Sequence, residues 1–208
     1  MDFPEFFAKA PTITLRDPLA VFLGASKTGM MSYGYADVVK LAGHSCPTVA
    51  GAYLMVRCGL HNLYSSDVPE RGGIEVYLRD GRDQGTTGVI AAVATLITGA
   101  APETGFGGIG ADGRFGRRDL LCFDAPIDGL MALRRRDTGR GVTLDLDTSA
   151  VPAAREMQFL LPKAVAGQAG EDEQARFAAL WQAHVEQMLT LHADDPALVR
   201  AAEWRAAA

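Results

Sequence analysis

Apolar and polar residues follow two different periods along this chain, and each period predicts a different kind of element. From Pro47 the apolar residues recur at helical spacing, which predicts a helix over residues 47–64. Residues 74–79 alternate strictly between apolar and polar, as a half-buried strand does. Residues 86–99 return to helical spacing and end at Gly99, a favoured residue just beyond a helix. The centre of the chain therefore predicts a helix, a strand and a second helix.

The flanking segments carry shorter patterns of both kinds. They predict short strands over residues 12–16, 119–124 and 142–147, a short helix over 33–42, a long helix from Glu171 to about His192, and a last short helix after Asp194-Asp195-Pro196. Together these elements predict the α+β class, with a mixed or antiparallel sheet packed against helices and a C-terminal helical extension. We expect one domain, with residues 1–165 as the α+β core and residues 166–208 as its helical extension.

Composition narrows the class of protein without naming a function. Apolar residues make up 48% of the 208 positions and charged residues 22%, which is enough for a substantial core. The net charge of −5 disfavours a nucleic-acid surface, and no apolar run is long enough for a membrane span. The first residues lack the apolar region of a secretory signal, and three cysteines cannot complete a disulfide framework. We therefore expect a cytoplasmic protein that binds neither nucleic acid nor a membrane.

The segment His44-Ser45-Cys46-Pro47 carries the clearest chemistry. In an extended backbone, residues two apart point to the same side, so His44 and Cys46 could bind one metal ion. Proline is favoured in the first turn of a helix, which places Cys46 near the positive end of the helix dipole, where a thiolate is stabilised. Zinc accepts this mixture of nitrogen and sulfur ligands. The alternative is structural, with Cys46 as a small buried apolar residue and His44 as a hydrogen-bonded side chain.

Two ligands do not complete a zinc site, because a catalytic ion needs about three protein ligands and a structural ion about four. Cys58 and His61 lie about 18 Å and about 22 Å along the predicted helix from Cys46, at about 1.5 Å per residue, which excludes them within a single chain. Asp80 and Asp83 are better placed because they follow a strand and precede a helix. The residues that spacing leaves open are Asp80, Asp83, Cys122 and Glu156.

These residues resemble the opening of the FmdE family of formylmethanofuran dehydrogenase components, Gly-His-x-Cys-Pro-Gly, here Gly43-His44-Ser45-Cys46-Pro47 with a glycine at 51. The similarity continues through the strand IEVYLR, through Thr98-Gly99, and into the glycine-rich basic segment GIGADGRFGRRDLL. It covers about residues 31–125, roughly half of the chain.

The resemblance implies an α+β domain that binds zinc through His44 and Cys46 and forms a homodimer. The chain departs from the family at Thr48, where the family has glycine, and at Ala100, where it has cysteine. The segment TTGVIAAVATLITG also lacks the family's acidic residues. We therefore take Asp80 as the third ligand, with Asp83 as its competitor. Three scattered cysteines cannot hold a four-cysteine iron–sulfur cluster, so we do not expect this chain alone to oxidise formylmethanofuran.

The glycine-rich segment 105–116 has a second possible role. It fits G-x-G-x-x-G formally but follows a helix instead of a strand, which disfavours a dinucleotide site. Its backbone N–H groups, together with Arg114, Arg117 and Arg118, could receive an anion such as phosphate or carboxylate. The alternative is a solvated loop whose arginines pair with Asp112 and Asp119.

Two further groups of residues are interpreted as structural. The run Arg134-Arg135-Arg136 is expected to form a solvated turn, and Trp181 and His184 are expected to lie in the core on the apolar face of the long helix.

Three functions remain open at this point. The first is a zinc-binding protein with a pocket for a small anionic molecule, whether or not it is a metal-dependent enzyme. The second is a non-catalytic, metal-stabilised accessory module of a molybdenum or tungsten redox system. The third is a protein with a reactive Cys46 thiol and no metal.

Overall fold

The computed structural model describes residues 2–205, so the last three alanines of the predicted extension lie outside the described residues. The helices are α1 (Pro18–Phe22), α2 (Tyr35–Ala42), α3 (Pro47–Tyr64), α4 (Thr87–Thr98), α5 (Met157–Val165) and α6 (Glu171–Thr190). The strands are β1 (Ile13–Arg16), β2 (Met30–Tyr33), β3 (Ile74–Leu78), β4 (Leu121–Cys122), β5 (Met131–Arg135), β6 (Gly141–Leu146) and β7 (Val199–Trp204). Single 3-10 turns lie at Glu5–Ala8 and Thr148–Ala150.

Five strands form the main sheet, in the order β4-β3-β5-β6-β7. The pair β3–β4 is parallel and the other pairs are antiparallel, while β1 and β2 form a separate antiparallel pair. Helices pack on this mixed sheet, which confirms the predicted α+β class. Within residues 2–205, no helix combines the length and the apolar character that crossing a bilayer requires.

Helix α3 is the centre of the core. It begins with Cys46 as its N-cap and Pro47 in its first turn, and it packs on β5, β6 and β7. Every residue from Val49 to Val56 is buried, so the helix is covered on all sides there and not only along one stripe. Fully burying a large apolar side chain contributes about 1.5–3 kcal/mol, so this helix supplies much of the stabilisation.

Glycines allow α3 to approach the sheet closely. A methyl group at Gly51 would overlap the side chain of Leu146 on β6. A Cβ at Gly59 would lie 2.6 Å from Leu133 Cδ1 and 2.8 Å from Leu144 Cδ1, and both of these leucines are fully buried. The helix therefore lies against the sheet at positions where a larger residue would push it away.

Two sequence predictions about secondary structure are wrong. Arg134 and Arg135 do not lie in a solvated turn, because they form the end of β5 and pair in register with Glu75 and Ile74 of β3. The segment after Asp194-Asp195-Pro196 is not a helix but the strand β7, which pairs along β6. The chain thus returns to the main sheet after α5 and α6. The predicted boundary between residues 165 and 166 stays a prediction.

Candidate functional site

His44 lies on the surface between α2 and α3. Gly43 ends α2 with a φ of 75°, a left-handed conformation that glycine adopts without strain. The Nδ1 of His44 lies 3.0 Å from the main-chain carbonyl oxygen of Ala42. Since a carbonyl oxygen only accepts hydrogen bonds, the proton of the neutral ring is on Nδ1 and the lone pair is on Nε2. Metal-binding histidines commonly have this arrangement, in which a second hydrogen bond fixes the tautomer.

Cys46 occupies the N-cap position of α3. Its backbone is extended, with φ −151° and ψ 168°, and its Sγ accepts a hydrogen bond from the Val49 amide at 3.4 Å. The side chain is half-buried, and the residue is not part of a disulfide. The sulfur therefore lies at the positive end of an 18-residue helix, where the backbone amides favour negative charge.

Ser45, between the two candidate ligands, is held by side chains from two other helices. Its carbonyl oxygen accepts from Trp181 Nε1 at 3.0 Å and from Gln182 Nε2 at 3.1 Å, both on α6. Its hydroxyl shares a hydrogen bond of 3.0 Å with the hydroxyl of Tyr35 on α2. Tyr35 is fully buried, and burial raises the pKa of its hydroxyl far above the usual value, so the group stays neutral.

These three contacts were not predicted from the sequence. The interpretation of Trp181 as a core residue misses its indole N–H, which makes the contact with Ser45. The available signal was general, because buried tryptophan N–H groups usually find a partner. Nothing in the sequence indicated that this partner lies 136 residues away.

The predicted third ligand, Asp80, follows β3. The strand register aligns the end of β3 with the end of β6, and Leu146 on β6 meets Gly51 near the start of α3. Asp80 and Cys46 therefore lie at the same end of the sheet, but β3 and β6 are two strands apart, or about 10 Å. The Asp80 carboxylate pairs with Arg79 on the surface, with 3.1 Å between Oδ1 and Nε.

Among residues 2–205, no three histidine, cysteine or acidic side chains lie close enough together to hold one metal ion. His44 and Cys46 are thus not joined by Asp80, Asp83, Cys122 or Glu156 in this conformation. Glu156 pairs with Arg176, and Cys122 is exposed on β4. The assignment of Asp80 as a ligand stays a prediction.

Cys58 and His61 lie towards the other end of α3, as the helical spacing predicted. Together with Arg57 they line a cleft of about 410 Å³ beside the residues that lead into β7. Arg57 Nη1 binds Asp194 Oδ1 across this cleft at 2.6 Å. Burial raises the pKa of the Cys58 thiol, which favours the uncharged form. This cleft is separate from the His44–Cys46 segment.

The arginines of the glycine-rich segment have different surroundings. Arg117 is buried, with 7% of its surface exposed, and its Nη2 binds Asp17 Oδ1 at 2.7 Å instead of Asp112 or Asp119. Arg114 is exposed and lies over the ring of Phe115, with 4.4 Å between the guanidinium carbon and the ring centroid. Arg114 is therefore the accessible guanidinium of the two, while Arg117 anchors the segment. Their roles as anion contacts stay predictions.

The sequence matches no protein-family model, and no curated protein matches it. One solved structure with a similar fold is the crystal structure of a tungsten formylmethanofuran dehydrogenase FmdE-like protein from Syntrophus aciditrophicus. The alignment has a TM-score of 0.43 and 15% sequence identity, and it covers 84% of this chain and 74% of that chain. At this level of similarity, function has to be inferred from the residues of this chain alone.

Proposed function

We propose that this protein binds a zinc ion through His44 Nε2 and Cys46 Sγ and presents it to a small anionic molecule. The observation that carries the proposal is the hydrogen bond from His44 Nδ1 to the Ala42 carbonyl oxygen. It leaves Nε2 with the lone pair that a metal needs, two residues from a thiol at a helix N-terminus. The donor set, one imidazole and one thiolate, suits zinc.

The third ligand in this proposal is Asp80, with Asp83 as its competitor on the same loop. The ion pair between Asp80 and Arg79 is exposed, and exposed pairs contribute little free energy, so the carboxylate can exchange this partner for a metal. A movement of the loop after β3 would have to close the gap of about 10 Å across two strands. The proposed homodimer is a second source of ligands, since His44 is exposed to a neighbouring copy.

When bound, zinc would supply a Lewis acid that polarises an oxygen or activates a water molecule. The residues of this chain would then bind and orient the anion. Arg114 is the accessible candidate for that contact, and Arg117 holds the C-terminal end of the glycine-rich segment in place. A guanidinium is well suited to this role because its fork of N–H donors matches carboxylate and phosphate oxygens.

Metal analysis of protein purified without added metal tests the proposal. We expect about one zinc per chain, or per two chains if a dimer shares the ion, and a loss of bound zinc in His44→Ala and Cys46→Ala. His61→Ala and Cys122→Ser are matched controls, because both residues are exposed and lie away from the segment. Protein that contains no zinc and takes up none, or variants at 44 and 46 that retain it, would overturn the proposal.

The alternative proposal is a non-catalytic, metal-stabilised module for a molybdenum or tungsten redox system. The clamp on Ser45 favours it to the extent that the segment is held rigidly and not left open. The two roles differ in whether the zinc retains a water molecule. Displacement of that water by an added anion such as phosphate would indicate an open site, and its absence in a saturated four-ligand site would indicate the accessory module.

A further inference from the structure

Two side chains of α6 donate hydrogen bonds to one main-chain oxygen between the proposed ligands. Trp181 Nε1 and Gln182 Nε2 lie 3.0 Å and 3.1 Å from the Ser45 carbonyl oxygen. We infer that Trp181 and Gln182 are positioning residues, which hold His44 and Cys46 in the geometry that binds the metal. This inference rests on the proposed function, and it extends the site to a helix more than 120 residues away in the chain.

The Ser45 carbonyl is a direct way to control the separation of the two ligands. It belongs to the peptide unit that joins Ser45 to Cys46, so its orientation sets the direction in which the Cys46 side chain leaves the backbone. Two donors on one oxygen fix the plane of this peptide more firmly than one donor does. Cys46 is extended, the conformation in which side chains two residues apart point to the same side.

The clamp is attached to the core on its other side as well. The Ser45 hydroxyl binds Tyr35, whose ring packs against Phe7 and Tyr53 with centroids 4.9 Å and 5.8 Å apart. The segment between α2 and α3 is therefore ordered before any metal binds, so metal binding does not have to order it. Residues that orient metal ligands without touching the metal typically change its affinity by about 10–100-fold when they are mutated.

The first test compares two glutamines on the same helix. Gln182→Ala removes one donor from the Ser45 carbonyl, whereas Gln187→Ala changes an exposed side chain on α6. We expect the zinc affinity, measured against a competing chelator, to fall about tenfold in Gln182→Ala and to stay unchanged in Gln187→Ala. Trp181→Phe keeps an aromatic ring but loses the N–H, and we expect a similar loss.

The readout must separate a positioning role from a general structural one. A structural role alone would lower the thermal stability of the metal-free protein and leave the zinc affinity of the folded protein unchanged. The inference predicts the opposite emphasis, with a change in affinity that exceeds any change in the stability of the metal-free protein. An unchanged zinc affinity in both Gln182→Ala and Trp181→Phe would overturn it.

A second measurement does not alter α6. The chain has two tryptophans, and Trp204 lies against Gly141, at the end of β6 opposite to Leu146 and the start of α3. In Trp204→Phe, the remaining Trp181 should be quenched by Co²⁺ in proportion to the cobalt–thiolate absorption band of Cys46. In Trp181→Phe, the emission of Trp204 should change far less. Equal quenching of the two tryptophans, or none of Trp181 while the thiolate band forms, would contradict the inference.

The two failures can be told apart. If wild-type protein binds neither Zn²⁺ nor Co²⁺, the proposed function fails and this inference fails with it. If wild-type protein binds zinc through Cys46 and Gln182→Ala binds it equally well, only the positioning role fails.

Discussion

Asp17 and Arg117 form a buried ion pair, with 2.7 Å between Asp17 Oδ1 and Arg117 Nη2, although 100 residues separate them in the chain. The other Asp17 oxygen accepts from Arg71 Nη1 at 2.9 Å, and Oδ1 also accepts from the Leu19 amide as the N-cap of α1. Asp17 is 3% exposed. One carboxylate thus joins α1, the segment before β3 and the C-terminal end of the glycine-rich segment.

Asp17→Asn is expected to destabilise the protein strongly. Asparagine keeps the shape of the side chain but leaves the charges of Arg71 and Arg117 without a carboxylate in a buried place. Breaking a buried ion pair on one side typically costs about 3–5 kcal/mol. Urea unfolding measures this loss, with Asp112→Asn as the control, because Asp112 is exposed on the glycine-rich segment. Equal unfolding free energies for the two variants would show that the pair does not hold the segment.

Gly72 provides a second test of the same cluster. Its φ is +87°, and a methyl group there would overlap the guanidinium of Arg117. Gly110 has a similar φ of +76° and no atom within 4 Å of an added Cβ, so Gly110→Ala measures the backbone cost alone, about 1–2 kcal/mol. We expect Gly72→Ala to lower the unfolding free energy clearly more than Gly110→Ala does. Equal losses would mean that Arg117 moves aside freely.

The packing of α3 on the sheet predicts a cost for Gly59→Ala. Alanine favours a helix over glycine by about 1 kcal/mol, but the added methyl would press on Leu133 and Leu144, which cannot move outward. Overpacking a core typically costs about 1–3 kcal/mol, so we expect a net loss of unfolding free energy. Gly88→Ala in the first turn of α4 has only an ordinary contact at 3.6 Å and should be neutral or stabilising.

A double variant checks the cause of that loss. Leu133→Val removes a methyl group next to Gly59, so Gly59→Ala should cost less in the Leu133→Val protein than in the wild type. Additive losses in the double variant would contradict close packing at this point.

Stability should fall at alkaline pH because of buried tyrosines. Burial raises the pKa of Tyr64 to about 12, despite Arg135 lying 4.1 Å from its ring centroid. Burial likewise raises the pKa of Tyr35 and of Tyr53. The unfolded pKa is about 10, so the contribution is complete below about pH 10 and is lost as the pH rises towards the folded value.

Unfolding by urea across this pH range, together with tyrosinate absorbance, measures the effect. Tyr64→Phe should remove part of the pH dependence, because phenylalanine does not titrate. A flat stability profile above about pH 10 would contradict the burial of these hydroxyls.

Local pattern was sufficient for the centre of the fold. The boundaries of α3 follow from its cap and from the apolar spacing, and β3 follows from strict alternation. Strand β7 could not be read in this way. Its sequence, VRAAEW, is rich in residues that favour helices, and it becomes a strand because it pairs along β6. The end of β5 was missed for the same reason, since Arg134 pairs with Glu75 across the sheet.

The candidate site divides along the same line. His44 and Cys46 are neighbours in the chain, so their spacing alone indicated a shared role. The clamp from Trp181 and Gln182 depends on how α6 packs, which no short motif reports. The third ligand was assigned by position after a strand, and in this conformation Asp80 is not within reach of the pair.

X-ray absorption at the zinc edge tests the central claim most directly, because it counts the sulfur and nitrogen ligands of the bound ion. The account predicts one sulfur per zinc at about 2.3 Å, with nitrogen or oxygen at about 2.0–2.2 Å, and the loss of the sulfur in Cys46→Ala but not in Cys58→Ala. A dimer that shares one ion would show two sulfurs, and Cys46→Ala would remove both. Zinc without a sulfur ligand, or a sulfur signal that survives Cys46→Ala, would contradict the account.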